Sequence, residues 1–309
     1  MKKDAKILIL GGNGMLGSAL SKKLHSHKNL LVTDIVDDNS SIEYLDVRDL
    51  SKLKAKFEEF RPNYVFNLAA LVDLEYCQEN PKHADDTNFQ ATKSIAKLCS
   101  EYDAVMIYIS TAGIFDGKKE FYSDCDTPNP ISQYGLSKFK GEEYVLNNLE
   151  KKFIFRAGWM MGGGPVKDKK FVNKIIKQIV SGKKELNVVD DKFGSPTYTE
   201  FFASHMLMVI ASDKYGLYNM VSEGSCNRFD VAKEMLSILK VSDKVILNKV
   251  NSAFWEDEYF AERPRSEQLI NENLKSNGFK PMNHWKESLE AYLLSPYWDE
   301  LRLSIKKLY

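Results

Sequence analysis

Lys6-Ile7-Leu8-Ile9-Leu10-Gly11-Gly12-Asn13-Gly14-Met15-Leu16-Gly17 is the stretch that decides the fold. Its apolar run is too short for a helix and fits a strand, Lys6–Leu10, that leads straight into glycines. Those glycines satisfy two spacings at once, Gly12-x-Gly14-x-x-Gly17 and Gly11-x-x-Gly14-x-x-Gly17, and a helix begins near Met15. A dinucleotide pyrophosphate settles at such a junction. No side chain holds the backbone away from it, and the helix start offers free N–H groups and a partial positive charge. Tight turns also collect glycines; the strand before and the helix after favour the phosphate loop.

Outward from that loop, further strands are expected at Leu30–Asp34, Tyr64–Leu68, Val105–Ser110 and Phe153–Arg156. Helical patterns lie between them: Asp49–Phe60, with Leu53, Phe57 and Phe60 on one face, then Pro81–Tyr102, then about Ser132–Asn148. Strand and helix alternating at this spacing give an α/β fold, a doubly wound parallel (Rossmann) sheet with helices on both faces. After Gly158 the alternation loosens. Gly162-Gly163-Gly164-Pro165 breaks the chain, a lysine-rich helix follows at Lys169–Ser181, and Phe229–Leu239 and His284–Leu294 are amphipathic. The expected division is 1–160 as the dinucleotide-binding domain and 161–309 as a smaller, mostly helical C-terminal substrate lobe. Some strands of that lobe would return to the main sheet.

The chain has 309 residues, and its 43 basic and 43 acidic side chains cancel, so no electrostatic footprint for nucleic acid or an anionic membrane is present. With 43% hydrophobic and 28% charged residues it reads as a folded globular protein. No stretch nears the roughly 20 apolar residues of a membrane span. The apolar run after Met1-Lys2-Lys3-Asp4-Ala5-Lys6 is too brief for a signal peptide, so a cytoplasmic protein is expected. Cys77, Cys99, Cys125 and Cys226 form no CxxC, and the five histidines form no HExxH; neither a disulfide nor a metal site is expected.

The second strand ends at Asp34, 17 positions after Gly17, where a carboxylate can accept hydrogen bonds from the adenosine ribose. Asp37 and Asp38 follow with no neighbouring Arg or Lys for a 2′-phosphate, so NADH is expected, with NADPH left open. Tyr134-Gly135-Leu136-Ser137-Lys138 sets a tyrosine and a lysine on one helix face. An ammonium beside a phenol favours the phenolate, and lowering its pKa from about 10 by ~3 units needs about 4 kcal/mol. Ser110-Thr111 ends a predicted parallel strand, the edge where doubly wound folds bind ligands.

This combination resembles the extended short-chain dehydrogenase/reductases, and within them the dTDP-4-dehydrorhamnose reductases. The residues that carry the likeness are the glycine loop, Asn67-Leu68-Ala69-Ala70 with Val72-Asp73, Ser110-Thr111, Ile114-Phe115-Asp116-Gly117, Tyr134-Gly135-x-Ser137-Lys138-x-x-Gly141-Glu142 and Arg156-x-x-Trp159. Val188-Val189-Asp190-Asp191-Lys192-Phe193-Gly194-Ser195-Pro196-Thr197-Tyr198, and Arg263-Pro264 before Ser266, extend it over most of the chain. The resemblance implies a pyrophosphate held at Gly11, Gly14, Met15, Leu16 and Gly17, a ribose at Asp34 and an adenine at Asp46 and Val47. Ala69, Ala70 and Leu71, with Ile109, would line the nicotinamide path. Tyr134 would donate the proton, Lys138 would support it and bind the ribose, and Thr111 would tune both. Thr111, Ala112, Trp159 and Arg263 would meet the substrate.

One departure stands out. The subfamily carries Asp-Tyr directly after the threonine; here those positions are Ala112 and Gly113. Related dehydratases hold Asp-Glu there, and epimerising reductases hold a cysteine at the position of Gly113. With neither proton carrier present, simple reduction is expected, without exchange of sugar C–H protons. The implied function is NAD(P)H-dependent reduction of the 4-keto group of a nucleotide-linked deoxysugar, in nucleotide-sugar or surface polysaccharide synthesis. The alternative is a non-catalytic or regulatory dinucleotide-binding relative acting through a protein partner. A homodimer is left open. Lys167, Lys169 and Lys170 could attract substrate phosphates, but a solvated charge run is the plainer account.

Overall fold

The computed structural model describes residues 4–36 and 41–309; Asp37 and Asp38 lie outside the described residues, as do Met1, Lys2 and Lys3. Strands β1 (Ile7–Leu10), β2 (Leu30–Asp34), β3 (Glu43–Tyr44), β4 (Tyr64–Asn67), β5 (Val105–Thr111) and β6 (Lys152–Ala157) join Gly216–Asn219 in one 7-stranded sheet. Its order is Gly216–Asn219, β6, β5, β4, β1, β2, β3, and every pairing in it is parallel. The strand order reverses between β1 and β4, and a crevice opens at the carboxyl ends of such a pair.

Alternation along β1 shows why the sheet is covered on both sides. Ile7 and Ile9 pack with Leu16 and Leu20 of helix Met15–Leu24 and with Phe202 and Met206 of helix Thr199–Ile210. Leu8 and Leu10 face the opposite layer, with Leu53 and Phe57, Ile95, and Val145 of the three helices there. All four β1 side chains are fully buried, each stabilising by roughly 1.5–3 kcal/mol relative to exposure. Helix Gln133–Asn148 is tied to β6 by a buried ion pair: Arg156 Nη2 donates to Glu142 Oε1 at 2.6 Å, and Arg156 Nη1 donates to the Asp124 carbonyl. Both partners come from the sequence motif, and both serve the core.

The second half has its own core around Val172, Ile176, Leu186, Val231, Met235, Trp285, Leu289 and Trp298. Small parallel pairs run through it, Glu185–Val189 with Ile246–Val250 and Trp159–Met161 with Pro196–Tyr198. Only Gly216–Asn219 rejoins the main sheet, and helix Thr199–Ile210 returns with it to cover helix Met15–Leu24. No helix among the described residues is long and apolar enough to cross a membrane.

Candidate active site

The four loop glycines divide by what surrounds them. Gly11 has φ +84°, and a Cβ there would stand 2.6 Å from the Ala69 nitrogen across the β1/β4 crevice. A Cβ on Gly17 would stand 2.3 Å from the Gly11 carbonyl oxygen. These positions are glycine because the protein itself fills the space. Gly14 is different: it is exposed, and its nearest neighbour is 3.5 Å from a Cβ. It caps helix Met15–Leu24 with no side-chain cap bond, so that helix start keeps an open cradle. Met15 is half-buried at the loop and Leu16 is buried beneath it. The cradle fits a pyrophosphate.

Asp34 lies beside the loop, where its Oδ2 accepts the Asn13 N–H at 2.8 Å and its Oδ1 accepts the Val36 N–H. Asp46 is less available than expected. Arg48 donates to both of its oxygens, at 2.9 Å from Nε and 2.6 Å from Nη2, and holds the carboxyl below its usual range. Val47 is buried in the core, leaving its backbone for an adenine. Ala69, Ala70, Leu71 and Ile109 are half-buried. Asn88, which the periodicity of the sequence concealed, clamps this segment: its Oδ1 accepts the Leu71 N–H at 2.8 Å and its Nδ2 donates to the Leu71 carbonyl at 2.9 Å. Asn88 can face inward because the helix runs through a π turn at Asp86–Gln90.

Ser132 caps the next helix, its Oγ accepting the Gly135 N–H at 3.1 Å, and so sets Tyr134 in the first turn. A Cβ at 135 would stand 2.2 Å from the Gly113 carbonyl oxygen, so only glycine seats that turn on the end of β5. Tyr134 thereby comes near Thr111, whose hydroxyl acts to lower the phenol's pKa. Lys138 is buried, its ammonium 4.3 Å from the centre of the Tyr108 ring.

The electrostatics differ from the expectation that Lys138 pulls the phenol down. Burial pushes Tyr134 up to about 12, against the Thr111 hydrogen bond, and pulls Lys138 down to about 7 despite nearby Glu142. Each group loses water on burial, and that penalises the charged form of both. A protonated phenol is the form that donates a proton in a reduction. A lysine with no carboxylate on its ammonium among the described residues fits a site that takes ribose hydroxyls.

Across the cleft, Trp159 is buried, with the backbone of Gly194 against its ring. The Arg228 guanidinium lies 3.5 Å from the ring centre, and Glu267 Oε2 accepts its Nε1–H at 2.6 Å. Trp159 was expected to touch the sugar; at this wall Arg228 and Glu267 are the polar groups laid over it. Arg263, expected at the nucleotide phosphates, lays both arms of its fork on Glu75, at 2.7 and 2.9 Å. The cations of the cleft are instead Arg228 and Lys170, whose charged ends make no hydrogen bond or ion pair among the described residues. Arg228 is half-buried and Lys170 exposed, yet the loss of water around them lowers Arg228 to about 10 and pulls Lys170 down as well. Lys167 is not a solvated charge either: its Nζ donates to Asn13 Oδ1 at 2.7 Å and Ser18 Oγ at 2.6 Å, bridging the second half to the glycine loop.

A doubly wound sheet, an open phosphate cradle at its β1/β4 crevice and a Thr–Tyr–Lys group on the floor define an extended short-chain dehydrogenase/reductase fold built to hold a nicotinamide dinucleotide. Comparison with known proteins narrows this further. The family model described as the RmlD substrate binding domain matches residues 5–297, and the chain belongs to that family. A dTDP-4-dehydrorhamnose reductase of Clostridium acetobutylicum is 32% identical, with a TM-score of 0.83 over 93% of this chain and 98% of that one. The Bacillus anthracis dTDP-4-dehydrorhamnose reductase, solved in complex with NADP, is 28% identical with a TM-score of 0.85, covering 94% and 99%. The spore coat polysaccharide biosynthesis protein SpsK of Bacillus subtilis is 27% identical over 93% of this chain and 96% of its own.

Proposed function

We propose that this chain reduces the 4-keto group of a dTDP-linked deoxysugar, in the synthesis of a surface polysaccharide. The observation that carries the proposal is Tyr134, its phenol kept protonated through the neutral range by burial, set beside Thr111 at the end of β5 in a sheet whose first crossover opens on the Gly14 helix start. The nicotinamide, when bound, supplies the hydride. Tyr134 gives the proton to the oxygen that becomes a hydroxyl, Thr111 holds that oxygen and the phenol together, and Lys138 binds the ribose. Gly14, Met15 and Leu16 take the pyrophosphate and Asp34 the adenosine ribose. Arg228, half-buried over Trp159, and the exposed Lys170 make no ion pair among the described residues, so we assign them the substrate diphosphate. Residues 161–309 form the substrate lobe in this view, with 199–219 given back to the sheet.

We take NADH as the preferred reductant, because the Asp34 carboxylate would repel a 2′-phosphate. From the sequence we take the protein to be cytoplasmic and leave a homodimer open. The intact Thr111, Tyr134 and Lys138 favour an enzyme over a regulatory relative. The test is NADH oxidation with a panel of 4-keto nucleotide sugars in deuterated water, with NADPH run in parallel. Turnover of a dTDP-keto sugar, faster with NADH, and no enzyme-dependent deuterium on the carbons beside the carbonyl are expected. Absence of turnover across the panel refutes the reading, and deuterium at those carbons refutes simple reduction.

A further inference from the structure

Ala112 and Gly113 put no polar side chain beyond Thr111, but the fold brings one to that place from far along the chain. A Cβ on Gly113 would stand 3.5 Å from Thr111 Oγ1 and 3.6 Å from Glu267 Oε1. Glu267 therefore occupies the volume into which a side chain at position 113 would project. Its two oxygens have different environments. Oε2 accepts the Trp159 indole N–H at 2.6 Å, whereas Oε1 has no hydrogen-bond partner among the described residues. The carboxylate is half-buried, and it lies within electrostatic reach of Tyr134, Arg228 and Lys170.

The backbone that presents Glu267 is pinned on both edges. Phe193 N donates to the Arg265 carbonyl and Glu267 N to the Phe193 carbonyl, each at 2.9 Å. On the other edge Tyr122 N donates to the Gln268 carbonyl at 2.9 Å, and Ile270 N to the Tyr122 carbonyl at 2.8 Å. Ser266 Oγ and Gln268 Nε2 both donate to the Glu120 carbonyl. A carboxylate fixed by its backbone and by one indole loses little further freedom when it takes a ligand.

We propose that Glu267 is a substrate-contacting, specificity-determining residue: its Oε1 accepts a hydrogen bond from a hydroxyl of the sugar ring beside the reacting carbonyl. It thus stands in, from the opposite wall, for the polar pair absent at 112 and 113. An ionised carboxylate accepts and cannot donate, so it selects a sugar with a hydroxyl at that place. A deoxygenated ring would leave the charge half-buried and unpaired, and sites built this way reject the analogue that lacks the donor. The inference rests on the nucleotide-sugar function proposed above.

Calorimetric titration of the NADH-loaded protein with dTDP and with dTDP-glucose, in wild type, Glu267→Gln and Glu267→Ala, tests it. Glu267→Ala is expected to weaken dTDP-glucose binding by roughly 10- to 100-fold, the worth of a charged hydrogen bond, and to leave dTDP within about twofold. Glu267→Gln, whose amide oxygen still accepts, should fall between; it is isosteric and keeps the test open if the alanine variant fails to fold. With a keto substrate, KM should rise while kcat holds within about threefold. Unchanged dTDP-glucose affinity, or equal loss for dTDP and dTDP-glucose, overturns the inference alone. A wild type that binds neither ligand overturns the nucleotide-sugar function and this inference with it.

Discussion

The two walls of the cleft are assembled in opposite ways. The cofactor wall comes from short contiguous runs: residues 11–17, the segment after β4 and the first turns of helix Gln133–Asn148. The sugar wall gathers Gly113, Trp159, Arg228 and Glu267, and the hydrogen bond that organises it joins residues 108 positions apart. Each contiguous run carries a local signature, a glycine spacing or an i,i+4 pair, that survives when read alone. A wall made of single residues from four elements carries none. On the function proposed above, the first wall would carry the chemistry and the second the selectivity.

The sharpest way to break that division is to remove the proton donor. Tyr134→Phe should cut turnover by roughly 10²–10⁴-fold, as for a lost general acid, while NADH binding changes little. Near-normal turnover would remove Tyr134 from the mechanism.

A pair of substitutions in the glycine loop sharpens the comparison within the cofactor wall. Gly17→Ala places a Cβ 2.3 Å from the Gly11 carbonyl oxygen, so backbone must move, and urea unfolding should show a loss of about 2–3 kcal/mol or more. Gly14→Ala meets nothing closer than 3.5 Å and should cost at most about 1 kcal/mol, mostly as a poorer helix cap. NADH affinity, followed by nucleotide fluorescence, should nevertheless fall in Gly14→Ala. Intact affinity there would mean that the loop does not hold the pyrophosphate.

The smallest of the three effects concerns Lys138 in the cofactor-free protein. Its pKa falls from 10.5 unfolded to about 7 folded, so between those values the unfolded chain holds a proton that the native chain lacks. Stability therefore rises with pH across that window, and the full cost of the buried charge is present below pH 7. Lys138→Met should be more stable than wild type at pH 6, by roughly 1–3 kcal/mol, with the advantage fading toward pH 10. Its NADH affinity and turnover should both drop. A variant less stable than wild type at pH 6 would mean that the ammonium is not desolvated at all.

Much of the sheet was legible because each strand is a local apolar run. Leu30–Asp34 forms as expected, and Tyr64–Leu68 and Val105–Ser110 differ from the folded strands by one residue at an end. The helix expected over Pro81–Tyr102 hides a π turn, since one extra residue barely disturbs an apolar stripe, and with it hides the Asn88 clamp. Lys167 looks in one dimension like part of a solvated run with Lys169 and Lys170, because its partners, Asn13 and Ser18, stand about 150 residues earlier. Arg263 is likewise legible as a cation, but its bidentate partner Glu75 lies 188 residues away.

By itself the sequence determined the doubly wound sheet, the glycine turn that opens its first helix and the placing of Tyr134 and Lys138 on one helix. All three follow from strand pleat, helix pitch and the absence of a Cβ, which act over a few residues. Only the tertiary structure decided the protonation of that pair and the identity of the group beside Thr111. Desolvation depends on every atom packed around Tyr134 and Lys138. The place left by Gly113 is filled by whichever residue the distant backbone delivers there, and that residue is Glu267.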